Sequence, residues 1–260
     1  MARTILVTGC SSGLGAAVCA ALVDAGARVL GGVRSGAAPK GVEPLTFDVR
    51  DEGSVTRALG GLAALDGLVN CAGLSSLGPL EWTSTADFRA LLEVNVLGVH
   101  TVTRAVMPAL RASRGRLVNV SSMSGLIAPP FAGAYAASKF ALEAMSDAWR
   151  MELKPFGVHV AVVEPGALAT PMWARLLEEL KTTTGAPAYP EWSKAREALE
   201  RIGAQAAQPF GAVEKVLHAL TSDAPRTRYP EDDRASVDEV RTMSDEDRDA
   251  LLRSGWGLRS

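Results

Sequence analysis

Tyr135 and Lys139 stand four residues apart in "AYAASKFALEAMSDAWRMEL", residues 134–153, a run rich in Ala, Leu, Met and Glu that reads as a helix. Positions i and i+4 share one helical face. An ammonium held beside a phenol favours the phenolate and lowers the tyrosine pKa from about 10 toward the working range. A tyrosine tuned in that way passes a proton to or from an alcohol oxygen. The chemistry also needs a donor to polarise a carbonyl, and "VNVSS" supplies Ser121 and Ser122. A hydride donor or acceptor would complete a redox pair. Tyr-x-x-x-Lys recurs by accident, so the weight falls on what surrounds it.

A candidate for the hydride carrier's seat is Thr8-Gly9-Cys10-Ser11-Ser12-Gly13-Leu14-Gly15. It joins the apolar run "TILVTG" to the helical "LGAAVCAALVDAG". Glycines there let the backbone turn tightly and approach a ligand, and the helix N-terminus offers N–H groups and a positive dipole end to a pyrophosphate. Ser11 and Ser12 add hydroxyls. A plain strand–helix turn is the alternative. The end of the next strand reads Gly32-Val33-Arg34-Ser35, with no Asp or Glu between Gly26 and Glu43. A carboxylate there would bond ribose hydroxyls, whereas an Arg pairs with a 2′-phosphate. Arg34, bidentate and assisted by Ser35, therefore favours NADP(H) over NAD(H).

The elements that must hold these residues alternate. Strands read at "TILVTG", "RVLGGVR", "EPLTFDV", "GLVNCAG", "GRLVNVSS" and "GVHVAVVEPG", with helices between them, including one long helix over 84–110. The strands are continuous apolar runs, as in a parallel sheet covered on both faces. The reading is an α/β doubly wound sheet in a single domain, 1–260. After Gly166 the rhythm breaks. A lid insert over about 167–210 should lie at the carboxyl edge of the sheet. A charged tail over about 224–260 ends in a helix with a Ser244/Asp247 capping box.

Composition narrows the partners. Formal net charge is −2 with no basic stripe, which argues against nucleic acid. No apolar run reaches the ~20 residues of a membrane helix, and the N-terminus lacks a signal peptide, so a cytoplasmic protein is expected. The three cysteines have no metal-type spacing.

Together the motifs resemble the short-chain dehydrogenases/reductases, in their shorter single-domain branch, over roughly residues 4–222. Gly9, Gly13 and Gly15 match the cofactor turn. Asp48-Val49 sits where the family contacts adenine. Asn70-Cys71-Ala72-Gly73 is similar to its N-N-A-G motif, with Cys71 the departure. Asn95 in "NVLG", Ser122 thirteen residues before Tyr135, and Tyr135/Lys139 match the catalytic set. Pro165-Gly166 and Thr170 match the segment that contacts nicotinamide.

The resemblance implies a Rossmann-type sheet of about seven strands. It makes Tyr135 the general acid/base and Ser122 the group that orients the substrate oxygen. Lys139 lowers the tyrosine pKa and bonds the nicotinamide ribose. Asn95 holds a water that links Lys139 to solvent. Cofactor contacts fall to Gly9, Ser11, Ser12, Gly13, Leu14, Gly15, Arg34, Ser35, Asp48, Val49, Asn70, Ala72, Gly73, Tyr135, Lys139, Pro165, Gly166 and Thr170. It also implies a homodimer or homotetramer through the two long helices.

The expected substrate wall is apolar: Leu74 to Leu80, Leu126 to Phe131, and the insert, with Leu74, Phe131, Met172 and Trp173 as contacts beside Ser122 and Tyr135. No Arg or Lys stands in the first two segments to clamp a carboxylate or phosphate. A lipophilic ketone or secondary alcohol fits best. "FGVHVAVVEPG" is similar to the steroid and retinol dehydrogenases. Two other readings stay open: an NAD-dependent dehydrogenase working oxidatively, and a dinucleotide-sensing scaffold without turnover.

Overall fold

Aliphatic strands that cannot leave either face in water must be covered on both. The computed structural model of the protein describes residues 2–182, 189, 191–231 and 234–258. Its strands are β1 Thr4–Thr8, β2 Arg28–Val33, β3 Val42–Thr46, β4 Gly67–Asn70, β5 Arg116–Val120, β6 His159–Glu164 and β7 Arg228–Pro230. They form one sheet in the order β3-β2-β1-β4-β5-β6-β7 with every pairing parallel. The order reverses between β1 and β4, so a crevice opens at their carboxyl ends.

Strand side chains alternate between the two faces. Ile5 and Val7 join Val18 and Leu22 of α1 (Gly13–Asp24) and Val216 and Leu220 of α8 (Phe210–Thr221). Leu6 faces the other layer, with Val55 of α2 (Glu52–Leu59), Val102 and Val106 of α4 (Val99–Ser113) and Leu153 of α5 (Gly133–Leu153). A third cluster lies under the insert, which forms α6 (Pro171–Thr182) and α7 (Trp192–Ala204). Residues 183–188 and 190 of the predicted lid lie outside the described residues. The tail adds α9 (Arg234–Thr242) and α10 (Asp245–Gly255), whose N-cap Ser244 accepts from Asp247 N at 3.1 Å as the capping box predicts.

Three expectations need correction. The third strand starts at Val42 and ends at Thr46; Phe47 and Asp48 lie beyond it. The long helix over 84–110 is interrupted: α3 (Thr85–Leu92) passes into a π turn, Glu93–Gly98, before α4. The turn brings Gly98 against the loop after β3, where an added Cβ would lie 2.8 Å from Val49 Cγ2. The charged tail contains the seventh strand, whose Arg228 is paired with carboxylates from neighbouring elements. Among the described residues no helix is long and apolar enough to cross a membrane.

Candidate active site

The turn after β1 is built for close approach. Gly9 has φ +68°, and a Cβ there would lie 2.7 Å from Ala72 Cα. At Gly15 it would lie 2.2 Å from Gly9 O. Thr8 Oγ1 accepts from the backbone N–H groups of Cys71 and Ala72 at 3.0 and 3.1 Å, locking the loops after β1 and β4 together. Backbone donors thus hold this turn, so the cysteine at position 71 leaves it intact. Ser12 stands at the N-cap of α1 yet makes no capping bond, which leaves its hydroxyl and the helix N–H groups facing the crevice.

From here a cleft of about 710 Å³ runs across the carboxyl edge. One end holds Arg34, Ser35, Asp48 and Val49; the middle holds Gly9, Ser11 to Gly15, Ala72, Gly73, Pro165, Gly166 and Thr170. Tyr135, Lys139 and Ser122 follow, then Leu74, Met172 and Trp173. Asp48 is clamped by Arg50, with Nε–Oδ1 at 3.1 Å and Nη2–Oδ2 at 2.7 Å. That pairing holds its carboxyl below the usual carboxylate range.

Ser122 Oγ accepts from Ser124 N at 3.1 Å and opens a 3₁₀ turn, Met123–Gly125, that leads toward α5. Burial raises the Tyr135 pKa, and a hydrogen bond from Ser122 opposes the rise. Lys139 is buried, donates to Val120 O at 2.9 Å and lies 5.7 Å from the Tyr135 ring centre. Burial draws it down to about 8. The ammonium is turned to a strand carbonyl rather than to the phenol oxygen. Ser121 also borders the cleft, but its hydroxyl packs against Gly125.

Three predicted site residues do not line the cleft. Asn95 is fully buried in the π turn. Its Oδ1 accepts from Leu74 N at 2.8 Å, and its Nδ2 donates to Leu74 O and Ser138 Oγ, both at 2.9 Å. Both amide donors are filled by protein, so the side chain acts as a clamp and makes no bond to Lys139. Asn70 lies beneath the cleft and donates to Thr103 Oγ1 at 3.0 Å and Asn119 Oδ1 at 2.9 Å. Phe131, at φ +62°, packs 5.4 Å from the Trp192 ring and 6.0 Å from the Trp256 ring. Leu199 and Ile202 of the insert line the substrate end, as the sequence reading of the insert expects, and so does Trp256, which that reading missed. Trp256 follows α10, far along the chain, and only a tryptophan near the C-terminus hinted at it. Among the described residues no His, Cys, Asp and Glu cluster could hold a metal.

Comparison with known proteins agrees with this geometry. Residues 3–181 match the family described as short chain dehydrogenase. An uncharacterized oxidoreductase, YbbO, of Escherichia coli K12 is 37% identical over 245 residues, 88% of this chain and 86% of its own. Human retinol dehydrogenase 5 is 35% identical over 257 residues, 86% of this chain and 79% of its own. A short chain dehydrogenase from Burkholderia cenocepacia, solved in complex with NADP, superposes with a TM-score of 0.75 at 29% identity, covering 97% of this chain and 96% of its own.

Proposed function

This chain belongs to the short-chain dehydrogenase family, whose members bind nicotinamide cofactors, and from that premise we propose an NADP(H)-dependent oxidoreductase for lipophilic ketones or secondary alcohols. One observation carries the reading: a single cleft joins Arg34, the glycine turn, the Ser122/Tyr135/Lys139 group and an apolar end. The uncapped N-terminus of α1, with Ser11 and Ser12, would hold the pyrophosphate. Arg34 and Ser35 would take a 2′-phosphate, Val49 the adenine, Lys139 the ribose, and Pro165, Gly166 and Thr170 the nicotinamide. When bound, the dinucleotide supplies or accepts the hydride. Ser122 orients and polarises the substrate oxygen. Tyr135 gives that oxygen its proton in reduction and takes it back in oxidation. Leu74, Met172, Trp173, Leu199 and Trp256 exclude water and favour an apolar body.

The name of the retinol dehydrogenase relative and the NADP complex of the structural neighbour support substrate class and cofactor respectively. Exposed Leu97, Phe140 and Met151 on the outer helical layer support self-association into a homodimer or homotetramer. The test is titration with NADPH and NADH, followed by turnover on a panel of lipophilic ketones. Arg34→Ala should weaken NADPH about tenfold or more, because a charge-assisted bond is lost. It should leave NADH unchanged. Equal weakening of both dinucleotides would remove the phosphate role. Tight NADPH binding without turnover would leave a dinucleotide sensor.

A further inference from the structure

Below the cleft, α5 carries a stripe that the proposed chemistry only half uses. Tyr135, Lys139, Glu143 and Asp147 follow at four-residue intervals and share one face. Glu143 is 6% exposed. Its Oε2 accepts from Arg228, which also bonds Glu164 Oε1 at 3.0 Å and Asp147 Oδ1 at 2.8 Å. One guanidinium thus faces three carboxyls, and Arg150 supports Asp147 at 3.0 Å. Glu143 Oε1 is buried and without a hydrogen-bond partner, and so is the hydroxyl of Ser121. Both atoms face the same spot: a Cβ on Gly125 would lie 2.7 Å from Ser121 Oγ and 3.2 Å from Glu143 Oε1. The Lys139 acceptor, Val120 O, belongs to the residue just before Ser121.

A carboxylate oxygen without a full set of partners is costly in a protein interior. Its neighbour one turn up explains why it stays there. Burial drives the proton off Lys139, and the negative charges of Cys71 and Glu143 oppose that loss. Burial pushes the Cys71 thiol up to about 12, so it is neutral at pH 7. Burial, with Glu143 adding to it, pushes Glu164 up to about 7, and both its oxygens are taken, Oε1 by Arg228 at 3.0 Å and Oε2 by the Tyr229 N–H at 2.9 Å. Glu143, one turn along the same face of α5, is left as the buried carboxyl nearest in the helix to Lys139.

We propose that Glu143, held by Arg228, is a positioning residue whose carboxylate keeps the buried Lys139 protonated behind Tyr135. The consequence for turnover rests on the oxidoreductase reading above, but the charge on Lys139 does not. The test is NMR titration of the full chain labelled with ¹⁵N-lysine, the Lys139 signal being assigned by its loss in Lys139→Met. Glu143→Gln should lower the Lys139 midpoint by about one pH unit. Glu143→Asp should restore at least half of that, and Glu164→Gln should leave the midpoint in place. In ketone reduction, the alkaline limb of the pH profile should move with the Lys139 midpoint.

A Lys139 midpoint unmoved by Glu143→Gln, even with a lower Tm, overturns the proposal and makes Glu143 a structural residue. An equal fall in Glu164→Gln overturns the assignment to Glu143. A moved midpoint in a chain that turns over no ketone upholds the proposal and counts against the oxidoreductase reading. If Glu143→Gln does not fold, Glu143→Asp, which keeps the carboxyl and draws it back by one carbon, should lower the midpoint by a smaller step, and no movement there overturns the proposal.

Discussion

A phenol deep in a cleft holds its proton more tightly than one in water, and Tyr135 follows that rule: burial raises its pKa. A group with a raised pKa stays protonated through the neutral range. Tyr135 in the free chain is therefore an acid waiting for a basic oxygen, which suits reduction of a carbonyl. Tyr135→Phe keeps the ring and removes the proton. In the proposed mechanism kcat/KM for ketone reduction then falls by roughly 10²–10⁴-fold, the usual worth of a placed general acid. The NADPH Kd should stay within about twofold. Steady-state kinetics and fluorescence titration check the two halves, and retained turnover would remove Tyr135 from its role. The pairing of Tyr135 with Lys139 was legible because helical spacing is rigid. The direction of the Lys139 ammonium was not, because four side-chain torsions answer to a carbonyl, Val120 O, on another element.

At the scale of elements, six of the seven strands were legible, five of them as continuous apolar runs, since a strand buried on both faces has no other composition to adopt; β3, at the sheet edge, is largely exposed. The exceptions are elements fixed from outside. β7 is three residues long, and its arginine is welcome only because Glu143, Asp147 and Glu164 surround it. The π turn between α3 and α4 carries no sequence signature of its own. Its purpose shows in what it carries: Asn95 ties Leu74 of the loop after β4 to Ser138 of α5, and Ser138 in turn donates to Tyr135 O at 2.7 Å. A π turn at such a junction is a common device near functional sites. Asn95→Ala would strand the N–H and C=O of Leu74 in a partly buried loop. The expected cost is about 3 kcal/mol of unfolding free energy, from chemical denaturation at unchanged m-value. A loss below about 0.5 kcal/mol would show that the clamp is dispensable and return Asn95 to a role in the cleft.

The whole molecule divides into a repetitive half and an idiosyncratic one. The sheet, its helices and the glycine turn repeat one local rule, so their placement follows from sequence period. The lid follows from no period. It is held by rings from distant parts of the chain: Trp82 lies 5.5 Å from Tyr189 and 5.4 Å from Trp192, both edge-on, and Phe131 bridges Trp192 and Trp256. Such edge-to-face contacts add a modest increment to the area each ring buries. They let the C-terminal segment reach back over the sheet, so Trp256 closes the end of a cleft that begins at Arg34. This makes the tail a determinant of substrate length. Trp256→Ala should raise KM for a long lipophilic ketone about tenfold, as roughly 1.5 kcal/mol of apolar contact disappears. A short ketone that ends at Leu74 should keep its KM, and the NADPH Kd should not move, because Arg34 and the glycine turn lie at the other end. Kinetics on a homologous series of ketones reads the difference directly. An equal rise for short and long ketones would place Trp256 in the scaffold of the lid, away from the substrate.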